Sequence, residues 1–266
     1  MAGTATAQTD RFNFSTATIM VGPQSGGFAM TPTLNSLGLT KKCVISGEPS
    51  VVTLTQGIRN EAVSSITNRF NLKFSVDVFE YTAKNIAYGM SLNGALFTTN
   101  TAVNPVSAAA ASAATSIKVA GDQTAVYVVG SWIFMQEGLT DQVHYGKVTT
   151  VSYGAPDTTI SFAATPIPTG MSFSLAQGRV GLVNKIDANP AVSDNYFAVQ
   201  VVGNLITDKR PIALRLPKCR ITKGFNLKMD ADAYDMMGYE FEDFVPLPTD
   251  PGYSTDYVNL FNVVVP

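Results

Sequence analysis

The side chains best suited to catalysis at neutral pH are scarce in this sequence, which has one histidine and two cysteines in 266 residues. His144 alternates with Val143, so a half-exposed strand position explains it better than the role of a catalytic base. Cys43 and Cys219 lack the Cys-x-x-Cys spacing of zinc and redox sites. No phosphate-loop, dinucleotide-binding, zinc-protease or EF-hand motif occurs. We therefore expect no enzymatic activity, no cofactor and no metal site.

Each cysteine follows a lysine, as Lys42-Cys43 and Lys218-Cys219. Two thiols in a cytosolic protein are usually reduced, and this is the state we favour. The alternative is a disulfide between Cys43 and Cys219 of neighbouring subunits, in an assembly that later leaves the cell.

Acidic residues are concentrated near the C-terminus of the chain. Carboxylates this close together can act as an acid–base pair or bind a cation. Two of them, Asp230 and Asp232, are two residues apart, so strand alternation alone would place both on one hydrophilic face. We favour this simpler explanation for the group, which comprises Asp230, Asp232, Asp235, Glu240, Glu242 and Asp243.

A nine-residue pattern occurs twice, at 70–78 (FNLKFSVDV) and at 225–233 (FNLKMDADA). Every second residue is apolar, and successive side chains of a strand point to opposite faces. Each segment is therefore predicted to have one apolar and one hydrophilic face, which favours the wall of a water-filled tube over a catalytic cleft. The hydrophilic set sums to a charge of −1 and comprises Asn71, Lys73, Ser75, Asp77, Asn226, Lys228, Asp230 and Asp232.

The composition is 45% apolar but only 14% charged, which is low for a freely soluble monomer. Such a surface suggests that much of it is covered by copies of the chain or by partners. The net charge of −2 provides no basic field to hold nucleic acid. Residues 1–10 lack the features of a secretory signal, and no stretch of about 18 apolar residues occurs. We expect a protein that is made and stays soluble in the cytosol.

The remaining elements are predicted to be mainly β. Short strands at 42–47 and 51–55 flank Glu48-Pro49, a polar hairpin tip covers 56–69, and a long strand returns over 70–81. Thr82 is a plausible N-cap for the one short amphipathic helix, whose apolar positions lie at i, i+3, i+4 and i+7.

Composition shifts at Asn104-Pro105, and an Ala/Ser run at 107–116 is interpreted as a linker. Short β segments follow at 117–119, 125–135, 143–151 and 159–162. We predict a small β-barrel module at 104–183, inserted into a discontinuous core domain made of 1–103 and 184–266.

Three segments resemble the core of the bacteriophage tail tube (major tail protein) family. They are EPSVVTLTQG at 48–57, FEYTAKNIA at 79–87 after the long strand, and GYEFE at 238–242. The resemblance covers roughly 1–103 and 184–266, and it rests on order and pattern rather than on an invariant motif.

The resemblance implies a tail-tube-type β-sandwich or barrel with one short helix, which assembles into stacked hexameric rings. Such a tube is a virion component that conducts DNA into the host, after assembly in the host cytoplasm. The implied partners are further copies of the chain, with sheath, baseplate and terminator proteins, and no membrane. The eight hydrophilic residues would face the lumen, where a slightly negative wall repels passing DNA. The inserted module would face outward.

Three other classes stay open at this stage. A tube of a bacterial contractile injection system would carry protein instead of DNA. An outer-membrane β-barrel would also show alternating strands, although it would need a signal sequence. A carbohydrate-binding β-sandwich module could use Trp132 and Tyr127 as stacking platforms, but both residues suit the core of the insert better.

Overall fold

The computed structural model describes residues 17–56, 61–97, 100–138, 140–187, 195–204, 211–226, 236–257 and 262–264. The chain is mainly β with antiparallel sheets, which confirms the predicted fold class. It forms two compact units. Unit 1 is Met1–Phe97 with Ala188–Pro266, and unit 2 is Thr98–Asp187. The corresponding boundaries predicted from the sequence are 103/104 and 183/184.

The two helices are α1 (Pro32–Asn35) and α2 (Ala83–Gly89), and short 3₁₀ turns occur at Gln24–Gly26, Gly94–Leu96 and Thr255–Tyr257. The strands in chain order are β1 (Ala17–Pro23), β2 (Thr40–Gln56), β3 (Glu61–Val78), β4 (Val103–Ala108), β5 (Ser116–Ala120), β6 (Trp132–Glu137), β7 (Val143–Lys147), β8 (Thr150–Gly154), β9 (Asp157–Ser161), β10 (Gly178–Val183), β11 (Phe197–Asn204), β12 (Pro211–Lys223), β13 (Met237–Asp243) and β14 (Asn262–Val264).

Unit 1 is built on one seven-stranded sheet in the order β1-β11-β12-β13-β3-β2, with β14 also paired to β12. The second half of β3 has the predicted alternation, because Leu72, Phe74, Val76 and Val78 are buried and the residues between them are not. The Phe74 ring packs 5.4 Å from that of Phe241 on β13. One face of the sheet thus forms the core of the unit.

Strand β2 is continuous from Thr40 to Gln56, so the prediction of two short strands around Glu48-Pro49 is wrong. Because β2 is an edge strand, one of its sides has no neighbour to bond, and Pro49 is tolerated there. The predicted polar tip is also too long, since β3 already begins at Glu61. The hydrophilic residues there belong to strands, and 57–60 lie outside the described residues.

Helix α2 begins as predicted, with the Thr82 side chain accepting a hydrogen bond from the Asn85 amide at 3.2 Å. Two buried tyrosines join the helix to the sheet. The Tyr88 hydroxyl donates to the Val21 carbonyl on β1 at 2.9 Å, and the Tyr239 hydroxyl on β13 donates to the Asn85 carbonyl at 2.7 Å.

Unit 2 is a second seven-stranded sheet, in the order β7-β6-β10-β4-β5-β9-β8, curled around its own apolar core. The Ala/Ser run predicted to be a linker is part of this unit. Ala110 is buried and exchanges two backbone hydrogen bonds with Phe173, at 2.9 and 2.8 Å. Ala110 is the buried residue of the run, and the small side chains on either side of it at 109 and 111–113 are exposed.

Candidate functional site

The outer part of the β2–β3 hairpin, residues 50–56 and 62–67, is the most unusual surface of unit 1 and is called the arm below. Its strands are antiparallel, with Val52 opposite Ile66 and Leu54 opposite Ser64, and the register shifts by a residue between Ser50 and Val51 and again between Leu54 and Thr55. Every residue of the arm is exposed. Ile66 and Leu54 expose 71% and 65% of their surface, respectively. Within the described ranges, neither face of the arm is therefore covered by other parts of the chain.

Between Glu61 and Arg69, which are opposite Gln56 and Ser50 at its two ends, the arm contains no charged side chain, since its two strands are SVVTLTQ and AVSSIT. Exposed edge strands of monomeric proteins usually have charges, prolines or bulges that prevent pairing with other chains. Strand β2 is the last strand of its sheet within the described part of the chain, so the polar backbone groups on its outer side have no strand partner. The arm thus combines exposed aliphatic side chains, a sheet edge without a strand partner, and strands without charged residues. These three properties suit it to binding another polypeptide chain.

Four of the eight predicted lumen residues lie together on β3. Asn71, Lys73, Ser75 and Asp77 are all on the face opposite to the core. In the second repeat, residues 224–226 are in no strand, and Asn226 is exposed. Lys228, Asp230 and Asp232 lie outside the described residues, so the equivalence of the two repeats stays a prediction.

The hydrophilic face of β3 continues across β13 and β12. Lys73 is opposite Glu242, which is in turn opposite Arg220, and Ser75 is opposite Glu240. Lys223 forms an ion pair with Glu240 at 3.2 Å. Sequence reasoning treated Glu240 and Glu242 as an acidic group, because a sequence does not show which basic residues lie on the adjacent strands.

The two cysteines lie in very different places. Cys43 is exposed on β2, whereas Cys219 is fully buried in the core of unit 1, and both thiols are free. A disulfide between Cys43 of one subunit and Cys219 of another would require the buried sulfur to leave the core.

Asp243 is a buried carboxyl beside Cys219, its direct neighbour across β12 and β13. Burial raises the pKa of Asp243 to about 8, and hydrogen bonds from the Cys219 thiol and the Phe244 amide only partly oppose this. Its Oδ1 lies 3.6 Å from Cys219 Sγ, while Oδ2 is buried without a hydrogen bond among the described residues. Burial likewise raises the pKa of the Cys219 thiol, which makes it a poor nucleophile.

The side chains considered for chemistry in unit 2 have structural contacts. His144 Nε2 lies 2.8 Å from the Thr165 carbonyl oxygen. Tyr127 is fully buried and its hydroxyl donates to the Val180 carbonyl at 3.0 Å, so it cannot be a stacking platform. Trp132 is partly exposed. Within the described ranges, no three His, Cys, Asp or Glu side chains are grouped as a metal site.

No protein-family model and no curated protein matches this chain. Among the described residues, no helix is long and apolar enough to cross a membrane.

Proposed function

We propose that this protein is a structural subunit that assembles with copies of itself, with the arm as the segment that reaches the neighbouring copy. The observation that carries this proposal is the uncharged, fully exposed arm at the free edge of the unit 1 sheet. In an isolated chain this edge would expose apolar side chains and unpaired backbone groups to water, and a neighbouring copy removes both costs.

Burial of the arm against a second chain would favour assembly. Its exposed aliphatic side chains are Val51, Val52, Leu54, Val63 and Ile66. Burying a Val, Leu or Ile side chain contributes about 1.5 kcal/mol or more, so the five together offer roughly 7 kcal/mol per subunit. Backbone pairing along β2 adds to this, and a closed ring repeats the contact at every interface. Such sums are comparable with the free-energy cost of bringing two chains together, about 4–15 kcal/mol.

Within this class, the assembly we propose is a phage tail tube made of stacked hexameric rings that conducts DNA into the host. Three features support it: the residue resemblance at 48–57, 79–87 and 238–242, the helix that follows the long strand, and the mixed-charge hydrophilic face of β3, β13 and β12. On this face the basic residues Lys73, Arg220 and Lys223 are balanced by the acidic residues Asp77, Glu240 and Glu242, so it presents no net basic field that would retain DNA. The virion tail is the corresponding location.

The test is the assembly state of the purified full-length protein, measured by light scattering after size exclusion and by negative-stain electron microscopy. We expect rings or tubes from the wild type. The double variant Val52→Lys/Ile66→Lys places two like charges opposite each other on one face of the arm, so it should run as a 28.3 kDa monomer.

The matched control is Val128→Lys/Val129→Lys, which places the same two charges on valines that are 53% and 68% exposed in unit 2. This variant should assemble like the wild type. A wild-type protein that stays monomeric at high concentration would refute self-assembly, and an arm variant that still forms rings would show that the arm is not the contact.

A further inference from the structure

The outer surface of unit 2 differs sharply between its two halves. On β6 and β7, the side chains opposite to the core include Trp132, Phe134 and Tyr145, with Phe134 directly opposite Tyr145. On β8 and β9, the equivalent outward positions are small and polar, and they comprise Thr150, Ser152, Thr159 and Ser161. Since one half is stable with Ser and Thr outside, the fold does not require aromatic rings on the other.

The aromatic face is defined here as Trp132, Phe134 and Tyr145 together with the neighbouring cations Lys147 and Arg179. Tyr145 exposes 55% of its surface, and Trp132 and Phe134 are partly exposed. Lys147 is opposite Trp132, and Arg179 is opposite Gln136 at the other end of β6. The rings therefore lie between two cationic ends.

A glycine on the adjacent strand positions one of the rings. Phe134 is opposite Gly181 on β10, and the ring atom Cζ of Phe134 lies 2.7 Å from the place that a Cβ on Gly181 would occupy. Any larger residue would push the ring away from the sheet. Because Gly181 has no side chain, the Phe134 ring can lie across the backbone of β10. The aromatic face thereby extends onto β10, the strand that also contains Arg179.

The charges around the rings are available to a ligand. Neither Lys147 nor Arg179 forms an ion pair within the part of the chain that the structure describes, and both are exposed. Lys185 is different, because it lies 5.3 Å from the Trp132 ring centroid and 3.0 Å from Asp187. The face therefore combines stacking surfaces with two free cations.

We propose that the aromatic face of unit 2 binds an acidic polysaccharide, with sugar rings stacked on Phe134 and Tyr145 and their carboxylates held by Lys147 and Arg179. The C–H groups on one side of a sugar ring are weakly positive, which complements the negative face of an aromatic ring. An arginine and a lysine donate charge-assisted hydrogen bonds to carboxylates.

The charge pattern favours a sparsely charged polymer over nucleic acid. Duplex DNA carries one negative charge per about 1.7 Å and is held by many cations. This face offers two free cations on a chain whose net charge is −2. An acidic polysaccharide has its carboxylates at least one sugar residue apart, and this wider spacing matches two separate cations better than the dense charge of DNA does. The inference depends on unit 2 alone and is independent of the function proposed for the arm.

The chain has a single tryptophan, so the fluorescence of Trp132 in the full-length protein reports binding at this face. The probe is an oligogalacturonate, with a dextran oligosaccharide of equal length as the neutral comparison and a thymidine oligonucleotide as the nucleic acid comparison. We expect a saturable change in Trp132 emission with oligogalacturonate, weakened by added salt and at least tenfold weaker with dextran.

The double variant Phe134→Ser/Tyr145→Ser should lower the affinity for oligogalacturonate about tenfold or more. Lys147→Glu should lower it about fivefold. This second variant changes only an exposed side chain, so it keeps the test valid if the double variant does not fold. The matched control, Ser152→Ala/Thr159→Ala on the opposite half of the sheet, should bind like the wild type. No response to oligogalacturonate, an equal response to dextran, or tighter binding of the oligonucleotide would each overturn the proposal.

Discussion

The buried carboxyl of Asp243 predicts an unusual pH dependence of stability. Its pKa is raised from 3.8 to about 8, mainly by burial. Between these two values the folded protein keeps a proton that the unfolded chain has released. The free energy of unfolding must therefore fall as the pH rises from about 4 to about 8, which is opposite to the behaviour of an ion-paired aspartate.

The size of the effect follows from the shift. Each pH unit in this window changes the free energy of unfolding by about 1.4 kcal/mol per proton. From pH 5 to pH 7 the wild type should thus lose about 2.5 kcal/mol through Asp243 alone. The variant Asp243→Asn has no titrating group at this position and should not show this loss.

The assay is urea denaturation at pH 5, 6 and 7, followed by circular dichroism, for the wild type and Asp243→Asn. We expect the difference in stability between the two proteins to move in favour of the variant by about 2.5 kcal/mol over this range. Asp141→Asn, at an exposed position, is the control and should run parallel to the wild type. Parallel curves for Asp243→Asn would refute the reasoning, since they would mean that the carboxyl is ionised in the folded protein.

Two further positions, Thr82 and Tyr239, test the N-cap of helix α2 and its attachment to the sheet. Thr82→Ala removes the N-cap that accepts from the Asn85 amide and should cost about 1 kcal/mol of stability in thermal or urea unfolding, while Thr82→Ser should retain most of it. Tyr239→Phe removes a fully buried hydroxyl that donates to the Asn85 carbonyl and should also cost about 1 kcal/mol, so an unchanged midpoint would show that this hydrogen bond contributes nothing.

Local patterns in the sequence predict some elements of unit 1 well. The alternation from Leu72 to Val78 depends on one buried face, and the start of helix α2 depends on one side chain, Thr82. Both signals are complete within a few residues. This is why the mainly β class and the short helix are found where they are predicted.

Features that depend on the neighbouring strand are not predictable in this way. Pro49 indicates a strand break only if the strand is central, and the edge position of β2 is set by pairings across the whole chain. The polar residues of the arm are typical of a loop, yet they belong to strands. Strands accept polar residues there because both faces of the arm are exposed. The aromatic face was missed for a related reason, since Phe134 and Tyr145 are brought together by the pairing of β6 with β7.

The hydrogen bonds of helix α2 have a mechanical consequence for unit 1. Tyr88 connects the helix to β1, and Tyr239 on β13 connects to the helix, although β11 and β12 lie between those two strands. Helix α2 thus bridges four strands, and a change in the curvature of the sheet would strain one or both of these hydrogen bonds. In the ring proposed above, a subunit of constant curvature would add the same angle at every interface, so the position of this helix would help to set the number of copies.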